Sequence, residues 1–172
     1  VYRVLVNRSN LVVICIDCLR ADFVGTDHIE TPFLDQLSTE ALFYDTVIST
    51  ANSTTPSVAS LLTGTYSERN GVNSLREVEL RSTVRPLAEL LNESGYDTYA
   101  SVTGPLVTET GLDRGFEYYD HRDEERELSE DWSQQLRDKL ASSSEPFFLY
   151  LHLWELHKPI TVTNPGTISG AT

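Results

Sequence analysis

Residues 11–16 read LVVICI, six apolar residues in a row, and the next residue is Asp17. A strand turns successive side chains to opposite faces, so a run with no polar residue needs cover on both sides. Parallel strands sandwiched between helices meet that need. A strand over Leu11–Ile16 therefore implies helical layers above and below it and leaves the Asp17 carboxylate at its C-terminal tip. A second run of the same kind, PFFLYLHL at 146–153, supplies another buried strand.

The sequence between these runs alternates in character. TPFLDQLSTEA reads as a helix with Thr31 as N-cap and Pro32 at its first position, and LFYDTVIS after it reads as a strand. A short helix is expected from Pro56 to Leu62. RPLAELLNESG places Leu87, Leu90 and Leu91 at helical spacing with Gly95 as a stop, and YDTYASV follows as a strand. Residues 103–128 read as irregular and acidic, with DHRDEEREL as a solvated loop. A last helix, Ser129 to Ala141, sets Trp132, Leu136 and Leu140 on one stripe. The alternation predicts an α/β fold, a three-layer α/β/α sandwich around a mostly parallel open sheet.

With 172 residues and 40% hydrophobic content, residues 1–172 are the size of one domain with a real core. No apolar run is long enough to span a bilayer, and VYRVLVNRSN lacks the order of a signal peptide, which makes the cytoplasm the default location. The net charge of −13 excludes nucleic acid and anionic membrane as partners and is the kind of surface that halophilic proteins carry. Cys15 and Cys18 would point to opposite faces of a strand, which argues against a disulfide between them.

Open α/β sheets gather ligands at the carboxyl ends of their strands. Three places satisfy that rule: Asp17 with Cys18, the segment NSTTPSVASLLTG at 52–64, and HLWELHKP after the last strand. Asp17 is a natural hard-metal ligand at a buried strand end. In the second segment Pro56 favours a helix N-terminus, where free N–H groups and the helix dipole attract an anion. The simpler reading is that Thr54 or Thr55 caps that helix. His152, inside an apolar strand, reads as a satisfied core residue, whereas His157 leaves the strand and is better placed as a ligand. Asp22 is expected to pair with Arg20, and His28 and His121 fall in no pattern.

Taken together, NLVVICIDCLRADFVG, TPFLDQLSTEALFYDTVISTANSTTPSVASLLTG, LAELLNESGYDTYA, GLDRGFEYYD and PFFLYLHLWELHKP resemble, in order, the N-terminal part of the sulfatase family within the alkaline phosphatase superfamily. The resemblance covers roughly residues 10–160 and implies an alkaline-phosphatase-like sheet. It also implies a divalent metal (Ca, Zn, Mg or Mn) and hydrolysis of a small-molecule or glycan sulfate or phosphate ester. Asp17 matches the family's first metal-ligand aspartate, and Cys18 stands where a second acid often follows. Thr54 falls on the nucleophile and metal-contacting position, followed by Thr55, Pro56 and Ser57, with Val58 in place of the signature arginine. His157 matches the family's late histidine, which contacts the transferred group or the leaving oxygen.

The departures have chemical consequences. Formylglycine arises by oxidising a side-chain CH₂ of Cys or Ser to an aldehyde; the methyl on the Thr54 β-carbon restricts oxidation to a ketone. The resemblance therefore implies a direct Thr alkoxide, as in phosphatase, phosphodiesterase and phosphotransferase relatives. The family's GKWHLG segment, with its substrate-clamping Lys and His, is replaced by Thr103, Gly104, Pro105, Leu106 and Val107. Arg69 and Asn70 stand where members often carry a His before Gly. Nothing in TVTNPGTISGAT resembles the later Asp-His or Asp-Asn metal ligands. Two readings follow: the N-terminal portion of a metal-dependent hydrolase whose catalytic domain continues beyond it, or an inactive or truncated sulfatase-fold module with a binding or structural role.

Overall fold

The two apolar runs lie side by side. The structure, a computed structural model, describes residues 8–26, 29–122 and 130–157. Strands β1 (Leu11–Ile16), β2 (Asp97–Val102), β3 (Tyr118–His121) and β4 (Phe147–Leu153) form one sheet in the order β1-β4-β2-β3, and all three pairings are parallel. Five helices accompany them among the described residues: α1 (Pro32–Glu40), α2 (Thr54–Thr63), α3 (Ser67–Asn70), α4 (Leu87–Glu93) and α5 (Glu130–Ala141).

The alternation of side chains along each strand builds two cores. Phe148 and Tyr150 of β4 and Ala100 and Val102 of β2 pack with Val58, Ala59 and Leu62 of α2 and Ala88 of α4. On the opposite face Tyr99, Leu149 and Leu151 meet the expected α5 stripe of Trp132, Leu136 and Leu140. The sheet thus lies between helical layers, and the three-layer α/β/α architecture is realised. On β1, Val13 and Cys15 join the first core, while Val12 and Ile14 remain about half exposed. Both cysteines are free, as expected.

Three sequence expectations need correction. Residues 42–49 form no strand: Leu42 and Ile48 are 86% and 87% exposed, and among the described residues no strand pairs with them. Apolar, β-branched residues favour a strand only when a ladder partner and a covering layer exist. Second, the stretch read as irregular contains β3, a four-residue edge strand whose sequence YYDH has too little apolar alternation to be recognised alone. Third, Arg122 belongs to no solvated loop. It is 1% exposed, donates to Glu155 at 2.8 Å and stacks over Trp132 at 4.8 Å. The rest of that acidic run, residues 123–128, lies outside the described residues, as does His28.

Candidate active site

Asp17 is the first residue beyond β1, and its N–H donates to Leu153 O at 2.9 Å, carrying the β1–β4 ladder one step past the strand. This bond pins the carboxylate at the sheet's C-terminal edge. The chain then turns sharply: Cys18 has φ +60, a left-handed conformation that costs a non-glycine residue on the order of 1–2 kcal/mol. Its thiol donates to Asp17 Oδ1 at 3.1 Å, and that bond is the main cause of a raised Cys18 pKa.

The helix of the second candidate segment starts two residues before Pro56. Thr54 is its first residue, and Thr54 Oγ1 donates to Asp17 Oδ2 at 2.8 Å, joining positions far apart in sequence. Neither threonine caps the helix, contrary to the simpler reading. Thr55 is fully buried and donates to Leu75 O at 2.7 Å, and Ser53 at the cap position makes no side-chain cap bond. The first turn therefore keeps its N–H groups free of side-chain caps, the arrangement that attracts anions. Ser57 is tied to Ser53 O at 2.8 Å and to Ala51 O at 3.0 Å.

Asp17, Cys18, Thr54, Ser57, His152 and His157 all line one open cleft of about 620 Å³. His152 and Trp154 extend one face of β4 begun by Phe148 and Tyr150, as the two-residue period requires. The Trp154 ring stacks on His157 with centroids 4.0 Å apart and planes 8° from parallel. The short turn Glu155–His157 is fixed by the Arg122–Glu155 pair, and Thr103 Oγ1 accepts from Trp154 N–H at 3.0 Å. His157 therefore has a packed support although it lies beyond the strand.

His152 differs from the sequence reading. It is fully buried, but its Nε2 has no hydrogen-bond partner and lies 3.5 Å from Asp17 Oδ2. Burial lowers its pKa, against an opposing pull from Asp17 and Glu155. It is a cleft residue and no satisfied core histidine. The two-residue period puts His152 on the face of Trp154, but that Asp17 emerges on that side follows only from the β1–β4 register, which no local signal carries.

Gly104 makes the stack possible. Its φ is +77, and a Cβ there would lie 2.5 Å from the Trp154 ring. Gly104→Ala is expected to cost about 2–4 kcal/mol, from left-handed strain plus overpacking. It should also push Trp154 off His157, read as a shift in tryptophan fluorescence of the folded variant. An unchanged spectrum would show that the stack does not depend on this glycine.

Among the described residues no group of three or more His, Cys, Asp and Glu side chains gathers to hold a metal ion. Asp17 and Thr54 do present two oxygens 2.8 Å apart at an open cleft, donors of the type that hard cations take, but hard cations need about six. The pair fits part of a metal site and falls short of a whole one.

The parallel sheet between helices agrees with the alkaline-phosphatase-like fold expected from the sequence. The family model for Sulfatase matches residues 9–167, and the chain belongs to the sulfatase family. A curated relative, the ulvan-active sulfatase of Formosa agariphila, is 34% identical over 94 residues, which are 53% of this chain and 18% of that protein. A structure in complex with its substrate D-glucosamine-2-N,6-O-disulfate superposes with TM-score 0.73 at 19% identity, over 85% of this chain and 34% of that one. The phosphonate monoester hydrolase of Agrobacterium radiobacter gives 0.70 at 19%, over 92% and 43%. The Zn complex of the C-terminal periplasmic domain of EcEptC from Escherichia coli gives 0.64 at 16%, over 95% and 51%.

The chain thus spans about half or less of each of these proteins. The solved neighbours show the fold. No helix among the described residues is long and apolar enough to cross a membrane. The cytoplasmic default gains no support from the comparisons.

Proposed function

We propose that this chain is the N-terminal portion of the catalytic domain of a metal-dependent hydrolase of sulfate or phosphate esters, with Thr54 as direct nucleophile. The observation that carries the reading is the 2.8 Å bond from Thr54 Oγ1 to Asp17 Oδ2 beside a helix N-terminus that no side chain caps. Asp17 Oδ2 takes the Thr54 proton as the oxygen attacks the phosphorus or sulfur, and returns it when water later releases the group. The uncapped first turn of α2 receives the anionic oxygens of the ester. A covalent Thr54 ester forms as the bond to the leaving alcohol breaks, and His157 gives the departing oxygen its proton. Water then releases phosphate or sulfate and restores the hydroxyl.

Asp17 and Thr54 would hold the divalent cation together with donors from elsewhere in the domain. When bound, such an ion lowers the hydroxyl pKa and neutralises the substrate anion. The exposed apolar side chains of Val12, Ile14, Leu42 and Ile48 support the part-domain reading, because a partial core leaves such surface uncovered. The sugar-acting relatives favour a carbohydrate ester as substrate. Leu75 lines both the cleft and an adjoining cavity of about 700 Å³, where a sugar leaving group would fit.

The test compares two esters of one alcohol on the full-length protein with Mn²⁺ or Zn²⁺. p-Nitrophenyl phosphate should be cleaved at least about tenfold faster than p-nitrophenyl sulfate, roughly 1.4 kcal/mol in barrier. A reversed order would overturn the direct threonine mechanism. The second reading, a non-catalytic module, rests on the donor count of two; absence of metal-dependent turnover of either ester would decide for it.

A further inference from the structure

One buried polar group in the cleft has no part in the proposed chemistry. His152 is fully buried, its Nε2 has no hydrogen-bond partner, and that nitrogen lies 3.5 Å from Asp17 Oδ2. A buried ring nitrogen without a partner costs on the order of 1–3 kcal/mol, so its retention calls for a function. Its other nitrogen is engaged: Tyr150 Oη lies 3.4 Å from Nδ1, and Tyr150 is itself fixed within the first core and against the Cys15 thiol. Register contributes as well. Cys15 pairs with His152 and Ile16 with Leu153 across β1 and β4, which places the imidazole directly beneath the residue that follows β1.

We propose that His152 is a positioning residue for Asp17, with Nδ1 accepting from the Tyr150 hydroxyl and Nε2–H directed at Asp17 Oδ2. A neutral imidazole has one N–H, and an acceptor role at one nitrogen leaves the other as donor. The carboxylate then receives the imidazole from the core side, the Cys18 thiol on Oδ1 and the Thr54 hydroxyl on Oδ2 from the cleft side. Three contacts fix its rotation, and its charge is kept for Thr54 and for a cation. Pairs of this kind, in which a second side chain orients a ligating one, are a general means of tuning affinity at metal sites. The inference rests on Asp17 being a ligand of the proposed enzyme, but the hydrogen-bond arrangement holds whether or not the chain is catalytic.

The decisive measurement is long-range ¹H–¹⁵N NMR of the histidine rings in the chain as it stands. His152 should show a protonated Nε2 and a bare Nδ1, and Asp17→Asn should move the Nε2–H resonance. A bare Nε2, or a resonance indifferent to Asp17→Asn, overturns the proposal. In the full-length protein Mn²⁺ titration supplies the second readout. His152→Phe, which keeps a ring in the stack and deletes the donor, should weaken binding about 10–100-fold, while His152→Gln, which keeps a donor, should recover most of it. Equal losses in both variants would assign His152 a packing role and overturn the proposal. The expected NMR result combined with full activity of Thr54→Ala would sink the nucleophile reading alone.

Discussion

In the full-length protein with divalent metal, Thr54→Ala is expected to lower kcat for an aryl phosphate by about 10³-fold or more, the scale on which nucleophile deletions act. The other two hydroxyls in the first turn of α2 are committed elsewhere. Ser57 is committed to two carbonyl oxygens, and Thr55 is buried with its proton on Leu75 O. Thr54→Ser retains the attacking oxygen and should retain activity to within about tenfold. The alanine variant should fold, because the lost bond to Asp17 is worth only about 1 kcal/mol in stability. A large kinetic loss with a small shift in Tm would separate chemistry from folding. Alanine at full activity would remove Thr54 from the mechanism.

Much of this site was legible in the sequence, for reasons that differ from residue to residue. Asp17 was readable because a continuous apolar run signals a parallel strand, and the residue after it sits at the sheet's C-terminal edge. The expected cover on both faces did not follow, since β1 ends the sheet among the described residues and Val12 and Ile14 are about half exposed. The α5 stripe was readable because Trp132, Leu136 and Leu140 fall on one helical face whatever that face meets. His152 was misread because a histidine in an apolar strand has the same local pattern whether or not its ring nitrogens find partners. That difference depends on Asp17, which lies 135 residues away by number but 3.5 Å away in space. Arg122 was misread for a similar reason. Its acidic neighbours suggested solvent, while Glu155 and Trp132, which bury it, arrive from distant parts of the chain.

The segment 42–49 fails in the opposite direction, its residues being locally suited to a strand but without any ladder to join. The Thr54 cap reading failed because local chemistry offers a hydroxyl two uses, and the fold brought Asp17 close enough to decide between them. For Asp17, Thr54 and His152 composition and period marked the element and a long-range partner fixed the role of the side chain, whereas over 42–49 the missing ladder overrode the local pattern.

The largest loss of stability is expected from Gly115→Ala. Gly115 has φ +87, and a Cβ there would lie 2.1 Å from Glu89 N and 2.5 Å from Glu89 Cα, both backbone atoms of α4. No rotamer change can relieve a clash with main chain, so α4 must move away from the segment that leads into β3. That segment also receives the Thr98 hydroxyl on Gly115 O at 2.8 Å, which ties it to β2. Left-handed strain and overpacking together amount to about 3–5 kcal/mol, or a fall in Tm on the order of 10 °C. Gly64→Ala is the matched control. Its φ is +63, but nothing lies within 4 Å of the added methyl, which leaves the conformational cost of about 1–2 kcal/mol alone. Urea denaturation of the two variants therefore isolates the steric component. A clear gap supports the close α4 approach, and equal losses would mean that the backbone at Gly115 yields without disturbing the helix.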